Sequence, residues 1–331
     1  MIILGIETSC DETAVGIVQN GTNVLANAIS SSKNTFSEIG GVIPEKAARA
    51  QVECMLPMLH LALKQANISK DEIDAIAVTK GSGLLGSLLV GVMSARTLAM
   101  LWRKPLIGIP HTLGHLSSVW LDKAENPTFP AFTLSVSGGH TELWIRKSHS
   151  NGELLGQTRD DAAGEAFDKG AAMLGLPYPG GPSISKEAEC GDEFYVKFPL
   201  PLKGENGYDW SFSGLKTSLK YVLRDKDNKL NSDEKRNISA SYEYALCNHL
   251  CDRVKKASKN YPEIQELHLV GGVSANNRLR SMLKKRLPSL NILFPEEISY
   301  CTDNGAMIAA AGYFLSKEKN DDAFKEFRHV G

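Results

Sequence analysis

Short apolar runs separated by polar turns open the chain. Residues 2–7 predict a β-strand, residues 8–13 a polar turn, and residues 14–18 a second strand. Asn20 and Gly21 predict a tight turn into a third strand, because both residue types tolerate positive φ. The start of the chain therefore predicts an antiparallel meander with a polar loop between its first two strands.

The same order of elements returns in the second half of the chain. Residues 131–135 predict a strand, residues 137–140 a turn, and residues 141–145 the return strand. Each half later contains an apolar strand, a glycine-containing turn and a helix. In the first half, the strand is residues 75–78, the turn is residues 80–83 and the helix is residues 86–101. In the second half, the strand is residues 267–270, the turn is residues 271–276 and the helix runs through Leu287. Two halves that begin alike indicate duplication.

The second half is longer than the first. Its equivalent strands lie about 60 residues further apart, which predicts an insertion at about residues 155–235. The pattern thus predicts an α/β protein of two domains, residues 1–125 and residues 126–331. The last helix of the second domain is expected to pack back on the first.

Three turns that follow predicted strands are rich in Gly, Ser or Thr: residues 8–11, 137–140 and 271–276. Successive backbone N–H groups in such turns suit phosphate oxygens, although any one of them could be plain turn chemistry. No P-loop sequence occurs, and the first strand leads into a hairpin, which argues against a dinucleotide-binding Rossmann site. Two halves that each hold phosphate with a hairpin resemble the actin, hexokinase and Hsp70 (ASKHA) superfamily, which implies an ATP-like ligand.

His111 and His115 lie four positions apart. In a helix they share one face, so both imidazoles can reach one metal ion. Pro110 fits a helix that begins there. Thr112 stands where a zinc protease of the H-E-x-x-H type has its glutamate, which argues against peptide hydrolysis. Two polar residues at a helix start are the alternative to a metal site.

Asp303 precedes an alanine-rich segment that predicts a helix to about residue 315. Its carboxylate either caps that helix or completes a site of two histidines and one carboxylate. Such a site has open coordination positions, and it can polarise a carbonyl or orient a phosphorylated leaving group.

Composition is that of an ordinary globular protein, with 42% hydrophobic and 23% charged residues. No apolar run is expected to approach the roughly 18 residues that span a bilayer, and no basic leader is evident, so we predict a cytoplasmic protein without membrane contact. Six scattered cysteines without a C-x-x-C pair suit a reducing compartment. A net charge of -1 means that any polyanion must be held by a local patch or by a second protein.

The densest basic run lies in the predicted insertion and consists of Lys216, Lys220, Arg224, Lys226 and Lys229. It predicts a surface that faces RNA. Lys80 and Lys216 are candidates for individual phosphate or RNA contacts, with an ordinary solvated lysine as the alternative.

With these residues assembled, the chain resembles the tRNA N6-adenosine threonylcarbamoyltransferases, in their bacterial and mitochondrial form, over essentially its whole length. The motifs that carry the resemblance are residues 5–13, 40–45, 111–115, 137–141, 164–169, 178–182, 212–217, 271–276 and 301–307. The resemblance implies an acyltransferase that moves the threonylcarbamoyl group from threonylcarbamoyl-AMP to N6 of adenosine 37, in tRNAs that read codons beginning with A. AMP leaves.

The resemblance also implies roles for single positions. His111, His115 and Asp303 would hold one divalent metal, Fe²⁺ by resemblance with Zn²⁺ as the alternative. The contacts to the adenylate would be Ser135, Val136, Ser137, Gly138, Gly139, Asp168, Gly181 and Asn276.

Three further positions have a less definite role. Asp11 and Glu12 lie near the expected phosphates and could orient water, amine or metal, with an Asx turn as the alternative for Asp11. Ser185 stands where many relatives have an aspartate, and a hydroxyl there lacks the charge-assisted strength of a carboxylate.

The implied partners are tRNA, a smaller inactive paralogue (TsaB-like) and a P-loop ATPase (TsaE-like). The chain itself is expected to form a heterodimer or, alternatively, a homodimer. Three other functions stay open: a metal-dependent glycoprotease, a small-molecule kinase on the same fold, and a non-catalytic scaffold subunit of the same complex. The missing glutamate argues against the first, and retention of all three metal candidates argues against the last.

Overall fold

The computed structural model describes residues 1–32, 42–123, 128–226 and 229–327, and it divides into two compact units. The first unit comprises Met1–Pro127, Ser148–Asn151 and Pro295–Gly331, and the second comprises Thr128–Lys147 and Gly152–Phe294. The expected boundary at residues 125 and 126 and the start of the motif at residues 40–45 lie outside the described residues. The C-terminal segment, which the division by sequence assigned to the second half, is part of the first unit.

Strands and helices are numbered in chain order over the described residues. The strands are β1 (Ile2–Glu7), β2 (Glu12–Gln19), β3 (Asn23–Ser31), β4 (Ala75–Gly81), β5 (Leu106–Pro110), β6 (Ala131–Val136), β7 (Thr141–Arg146), β8 (Gly152–Gln157), β9 (Glu266–Val270) and β10 (Asn291–Leu293). The helices are α1 (Pro44–Ala66), α2 (Leu85–Trp102), α3 (His111–Ser117), α4 (Ala163–Met173), α5 (Gly180–Glu187), α6 (Ser213–Arg224), α7 (Ser232–Asn260), α8 (Asn277–Arg286), α9 (Ile298–Cys301) and α10 (Gly305–Lys319). Short 3-10 turns occupy Lys70–Glu72, Ser118–Trp120, Gly272–Ala275 and Asn320–Phe327.

The sheet of the first unit has the order β3-β2-β1-β4-β5. Its first three strands form the expected antiparallel meander, and β4 and β5 run parallel to β1. The second strand begins at Glu12, two residues before the expected start, because Glu12 pairs with Ser31 of β3. Glu12 is therefore a buried strand residue at the edge of the polar turn.

The sheet of the second unit repeats this topology, with the order β10-β9-β6-β7-β8. Strands β6, β7 and β8 form an antiparallel meander, β9 runs parallel to β6, and β10 runs parallel to β9. The two sheets therefore correspond strand by strand, as the duplication predicted from the order of apolar runs requires. Three helices, α4, α5 and α6, lie between β8 and α7 and have no counterpart between β3 and β4 in the part of the chain that the structure describes.

The alanine-rich helix α10 packs directly on the sheet of the first unit. A side chain at Gly16 of β2 would meet the backbone of Ala306 at 2.1 Å, and one at Gly305 would meet Gly16 N at 2.1 Å. Backbone therefore lies on backbone at this crossing, which only glycine permits. Small residues on α10 place its N-terminal turn, and with it Asp303, close to strands β1 and β2.

One expectation about the apolar runs is wrong. Helix α2 is 18 residues long with a mean hydropathy of 1.5, which is long and apolar enough to cross a membrane. Arg96 is its single charged residue, and its face with Ser87, Gly91 and Ala95 is buried. Since α2 packs against β4 of the sheet, its composition is weak support for a membrane span.

Candidate metal centre and nucleotide-binding residues

Three side chains of the first unit converge on one point. His111 and His115 occupy the first turns of α3, and Asp303 lies in the turn between α9 and α10. His115 Nε2 is 3.1 Å from His111 Nε2 and 3.0 Å from Asp303 Oδ1, and His111 Nε2 is 3.6 Å from the same oxygen. The i, i+4 spacing therefore places both imidazoles on one helix face, as the sequence predicted.

Packing of α3 on α10 holds this arrangement. Gly114 lies between the two histidines, and a side chain there would meet Ile308 of α10 at 2.6 Å. The cap of α10 is Asn304, whose side chain accepts a hydrogen bond of 2.9 Å from Met307 N. The alternative that Asp303 is the N-cap is therefore wrong, because the next residue fills that position. The Asp303 carboxylate instead faces the histidines.

A buried carboxylate behind His111 was missed by the sequence reasoning. Glu7 ends β1, is fully buried, and places Oε2 at 3.2 Å from His111 Nδ1. Ser9 Oγ lies 3.1 Å from the same nitrogen, and Thr79 donates to Glu7 Oε2 at 2.5 Å. A carboxylate at Nδ1 holds a proton on that nitrogen, so Nε2, which faces His115 and Asp303, is the atom that would coordinate a metal.

Electrostatics at His111 follow from this contact. Burial opposes charge on the ring, but the hydrogen bond and negative charge of Glu7, with the charges of Asp303 and Glu12, raise the pKa of His111 to about 9 in the metal-free protein. Three negative groups around one imidazole favour a positive charge at this point. A divalent cation would supply that charge in place of the proton.

The three donor atoms fit a divalent metal. Bonds of about 2.1 Å at octahedral or tetrahedral angles separate neighbouring ligand atoms by about 3.0–3.4 Å, close to the distances observed here. Two imidazoles and one carboxylate suit iron, and they also suit zinc. Among the described residues, the buried Nδ1 of His115 has no hydrogen-bond partner, so no contact at that nitrogen fixes the orientation of the ring.

The polar turn between β1 and β2 supports this centre. Its Ser9 N–H donates to Glu7 Oε1 at 2.5 Å, so the expected phosphate-binding amide at this position is already occupied by a carboxylate. Gln51 of α1 is buried and donates through Nε2 to Thr8 O, Cys10 O and Glu12 O at 3.0–3.3 Å. Its role was not predicted, because a glutamine inside a helix gives no local signal.

Asp11 and Glu12 are both buried in this turn. Burial raises the pKa of the Cys10 thiol to about 12, and a hydrogen bond to Asp11 and its charge add to the shift. Cys10 is therefore a neutral thiol and not a nucleophile at neutral pH. Ser31 donates to Glu12 Oε1 at 3.3 Å, which ties that carboxylate to β3.

In the second unit, the turn after β6 is open. Ser135 and Val136 end the strand, and Ser137 N donates to His140 O at 2.8 Å. Side chains added at Gly138 and Gly139 would meet nothing within 4 Å. Missing side chains thus leave space beside the backbone of this turn, which suits close approach of a phosphate.

Two other predicted contacts meet at the N-terminus of α5: Gly181 lies in its first turn, and Asp168 contacts that turn from α4. Gly181 also faces open space, with nothing within 4 Å of an added side chain. Asp168 Oδ1 accepts from Gly180 N at 2.7 Å. Burial, with the charge of Glu165, raises the pKa of Asp168 despite that hydrogen bond. Asp168 therefore holds the start of α5 beside the open region.

Asn276 has a structural role in addition to the predicted one. It caps α8, because its Oδ1 accepts from Leu279 N at 2.8 Å. Its Nδ2 donates to Glu243 Oε1 at 2.8 Å and to Ser185 Oγ at 3.1 Å. The turn that leads to it needs glycine at Gly271, where φ is 88° and a side chain would meet Val136 O at 2.4 Å.

The basic run is only partly available to RNA. Lys216 pairs with Asp161 at 2.7 Å, and Lys226 pairs with Glu234 at 2.5 Å. Lys220 and Arg224 are exposed on α6, one helical turn apart. Lys229, the last residue of the run, is exposed. Lys80, near the end of β4, is exposed as well.

Comparison with known proteins identifies the family. A family model described as tRNA N6-adenosine threonylcarbamoyltransferase matches residues 23–310. A protein of that name from Thermomicrobium roseum is 45% identical over 96% of this chain and 92% of its own length. Its namesake from Bacillus subtilis is 43% identical over 94% of this chain and 90% of its own.

The chain belongs to this family. It is therefore a member of a transferase family that acts on tRNA, as the motifs predicted. Solved structures agree on the fold: HypF from T. kodakarensis has a TM-score of 0.62 at 14% identity, covering 98% of this chain and 49% of that one. The activator component A of the Acidaminococcus fermentans (R)-2-hydroxyglutaryl-CoA dehydratase has a TM-score of 0.54 at 14% identity, covering 94% and 96%. The expected actin/hexokinase/Hsp70-like (ASKHA) fold is confirmed.

Proposed function

We propose that this chain transfers the threonylcarbamoyl group from threonylcarbamoyl-AMP to N6 of adenosine 37 in tRNAs that read codons beginning with A. Membership of the threonylcarbamoyltransferase family over nearly the whole chain carries this proposal. The converging triad supports it as a candidate metal site, and the open glycine turns support it as candidate phosphate sites. We place the reaction in the cytoplasm, with tRNA as the acceptor.

The reaction exchanges one acyl bond for another. The adenosine N6 amine attacks the carbamoyl carbon, the bond from that carbon to the phosphate oxygen breaks, and AMP leaves with the electron pair while the amine loses one proton. Because the mixed anhydride is already activated, positioning and charge stabilisation are the main tasks of the protein. No covalent enzyme intermediate is needed, and the neutral Cys10 thiol fits this route.

His111, His115 and Asp303 are the proposed metal ligands, for Fe²⁺ or alternatively Zn²⁺. When bound, the ion would supply Lewis-acid polarisation of an oxygen on the donor. Glu7 holds the proton on His111 Nδ1 and so keeps Nε2 free to coordinate. The backbone of Ser135, Val136, Ser137, Gly138 and Gly139, with Asp168, Gly181 and Asn276, is proposed to hold the adenylate.

Product stoichiometry tests this function. Purified protein, threonylcarbamoyl-AMP and tRNA should give one AMP for each modified adenosine, counted by nucleoside mass spectrometry and nucleotide chromatography. A tRNA with guanosine at position 37 is the control and should release no AMP above the rate of donor hydrolysis. Equal AMP release with both tRNAs would contradict the proposal.

A glycoprotease is the enzymatic alternative from the histidine pair. Thr112 in place of the glutamate leaves no general base after His111. Cleavage of a glycoprotein or of casein that depends on the triad would support the protease instead.

We also propose that the chain works with a smaller, inactive paralogue and a P-loop ATPase. Exposed apolar side chains on α1 and α2 supply a surface for the paralogue, since large exposed apolar residues mark interfaces. They are Val52, Leu56, Leu85, Leu89, Met93, Met100 and Leu101. Leu56→Glu with Leu89→Glu should prevent copurification of the paralogue; a homodimer that is lost in the same variant would favour self-association as the native state.

A further inference from the structure

Helix α8 is rich in positive charge. Five of the nine residues from Arg278 to Arg286 are lysine or arginine, and none of the nine is acidic. The run at residues 216–229 has the same number of cations over a longer stretch of chain. The expectation that the densest basic run lies in the insertion is therefore wrong. Since the net charge of the chain is only -1, a polyanion must be held at a local concentration of charge of this kind.

Two of these five cations face the interior of the second unit. Arg278 pairs with the buried Glu243, where Nε lies 2.9 Å from Oε2, and also with Glu193. Arg286 donates to Asn248 Oδ1 at 2.5 Å. Glu243 and Asn248 both belong to α7. This side of α8 is therefore used to hold the helix against α7.

The opposite side of α8 carries charge that is not neutralised. Lys284 and Lys285 are exposed, and within the described ranges of the chain neither has a carboxylate partner. Lys284 Nζ lies 5.0 Å from the centre of the Phe294 ring, and the guanidinium of Arg280 lies 4.1 Å from the same centre. An aromatic face attracts a cation without cancelling its charge. By contrast, two lysines of the run at residues 216–229 are paired with carboxylates.

This positive edge adjoins the glycine turn that leads into α8. Arg280 Nε donates to Ser274 O at 2.5 Å, and Ser274 belongs to the turn at residues 271–276. Gly272 of that turn is exposed, and a side chain there would meet nothing within 4 Å. Lys284 follows Arg280 by one helical turn, a rise of about 6 Å. Positive charge therefore continues from an open turn along one edge of the helix.

We propose that Lys284 and Lys285 bind backbone phosphates of the tRNA, with Phe294 holding Lys284 in place. Charge identifies the partner, because ammonium groups without carboxylate partners bind phosphates as point charges and do not read bases. The assignment rests on the proposed function, in which a tRNA is the acceptor. Both lysines act in binding that acceptor and take no part in the transfer step.

Salt dependence of tRNA binding tests this assignment. A tRNA with unmodified adenosine 37 is titrated into the full-length protein between about 50 and 200 mM salt and followed by fluorescence anisotropy. For Lys284→Gln with Lys285→Gln, the slope of log affinity against log salt should become shallower by about 1.5, since each phosphate contact contributes about 0.7–0.9. Lys284→Arg with Lys285→Arg keeps both charges and should keep the slope of the wild type.

Two lysines of α10 supply the matched control. Lys317 and Lys319 are exposed in the last turn of their helix, and Lys317 Nζ lies 5.5 Å from the centre of the Tyr313 ring. Lys317→Gln with Lys319→Gln should leave the slope unchanged. Both glutamine pairs should lower the unfolding temperature by a similar small amount, because cations in a last turn interact favourably with the helix dipole. The comparison separates contact with RNA from stabilisation of the helix.

Turnover separates this assignment from the proposed function. In the modification assay at about 150 mM salt, Lys284→Gln with Lys285→Gln should raise the KM for tRNA at least about tenfold and leave kcat unchanged. An unchanged slope and KM in this folded variant would overturn the assignment and leave the function standing. Loss of a copurifying protein with an unchanged slope would also overturn it, and would assign this edge of α8 to an acidic protein surface. A wild type that binds tRNA with the expected slope change but forms no threonylcarbamoyladenosine would overturn the function alone.

Discussion

The metal triad of the first unit and the glycine turns of the second unit are built in opposite ways. At the triad, side chains from α3 and from the turn before α10 meet within hydrogen-bond distance, and Glu7 holds one of them from behind. At the turn after β6, the proposed nucleotide contact depends on missing side chains, since Gly138 and Gly139 face open space. Substitutions that remove a charge or alter the orientation of a side chain should therefore weaken binding at the triad. Substitutions that add a side chain to the glycine turn should weaken binding there.

The largest effect is expected at Asp303. Asp303→Asn keeps the shape but removes the charged ligand, so metal affinity should fall by more than about 100-fold while the free energy of unfolding of the metal-free protein changes little. Metal content after anaerobic dialysis, with calorimetric unfolding, measures both. The neighbouring Asn304→Ala is the matched control: it removes the cap of α10 and should cost about 1 kcal/mol of stability while metal binding is kept. Loss of metal binding in Asn304→Ala, with loss of stability but not of metal binding in Asp303→Asn, would contradict these assignments.

Glu7 should have the next largest effect. Glu7→Gln retains volume in a fully buried position but replaces the charge behind His111. Loss of such an outer partner typically lowers metal affinity by about 10–100-fold. Competition with a chelator measures this change. Unaltered affinity in a folded Glu7→Gln protein would show that His111 is oriented by α3 alone.

Volume is the test for the second unit. Gly138→Ala should leave the unfolding temperature near that of the wild type, because its side chain meets nothing within 4 Å. AMP should bind about tenfold more weakly, as expected when one methyl group enters a closely contacted site. Gly164→Ala is the contrasting variant, because its side chain would meet Ser137 O at 2.6 Å and should destabilise the fold. Tight AMP binding by Gly138→Ala would exclude this turn from the nucleotide site.

A smaller effect is expected from pH. Burial first, and then the charge of Arg253, lowers the pKa of His249 to about 4. Since the unfolded chain has the higher pKa, near 6.5, it binds the proton first, and stability is lost as the pH falls from about 6.5 to about 4. The loss by pH 4 should be about 3 kcal/mol, measured by denaturant unfolding across this range.

His249→Gln should flatten that slope. The amide oxygen can still accept the hydrogen bond that Ser211 N donates to His249 Nε2 at 3.3 Å. An equally steep acid loss in this variant would assign the slope to other groups.

Local sequence patterns predicted the parts of the molecule that depend on local chemistry. The i, i+4 spacing of His111 and His115 and the glycines after β6 were evident, because helix periodicity and turn chemistry are short-range. The sequence left Asp303 as either a helix cap or a metal ligand, because only the structure shows that Asn304 caps the helix. Glu7 and Glu243 were missed, because their hydrogen-bond partners lie 104 and 58 positions away in the chain.

The most direct measurement is tRNA modification by metal-loaded protein compared across single histidine variants. His111→Ala and His115→Ala should each lose at least about 100-fold in threonylcarbamoyladenosine formed, with AMP still bound, because the metal ligands are lost and the nucleotide residues are not. His60→Ala, an exposed histidine on α1, is the matched control and should keep full activity. Full activity in both triad variants would contradict the account.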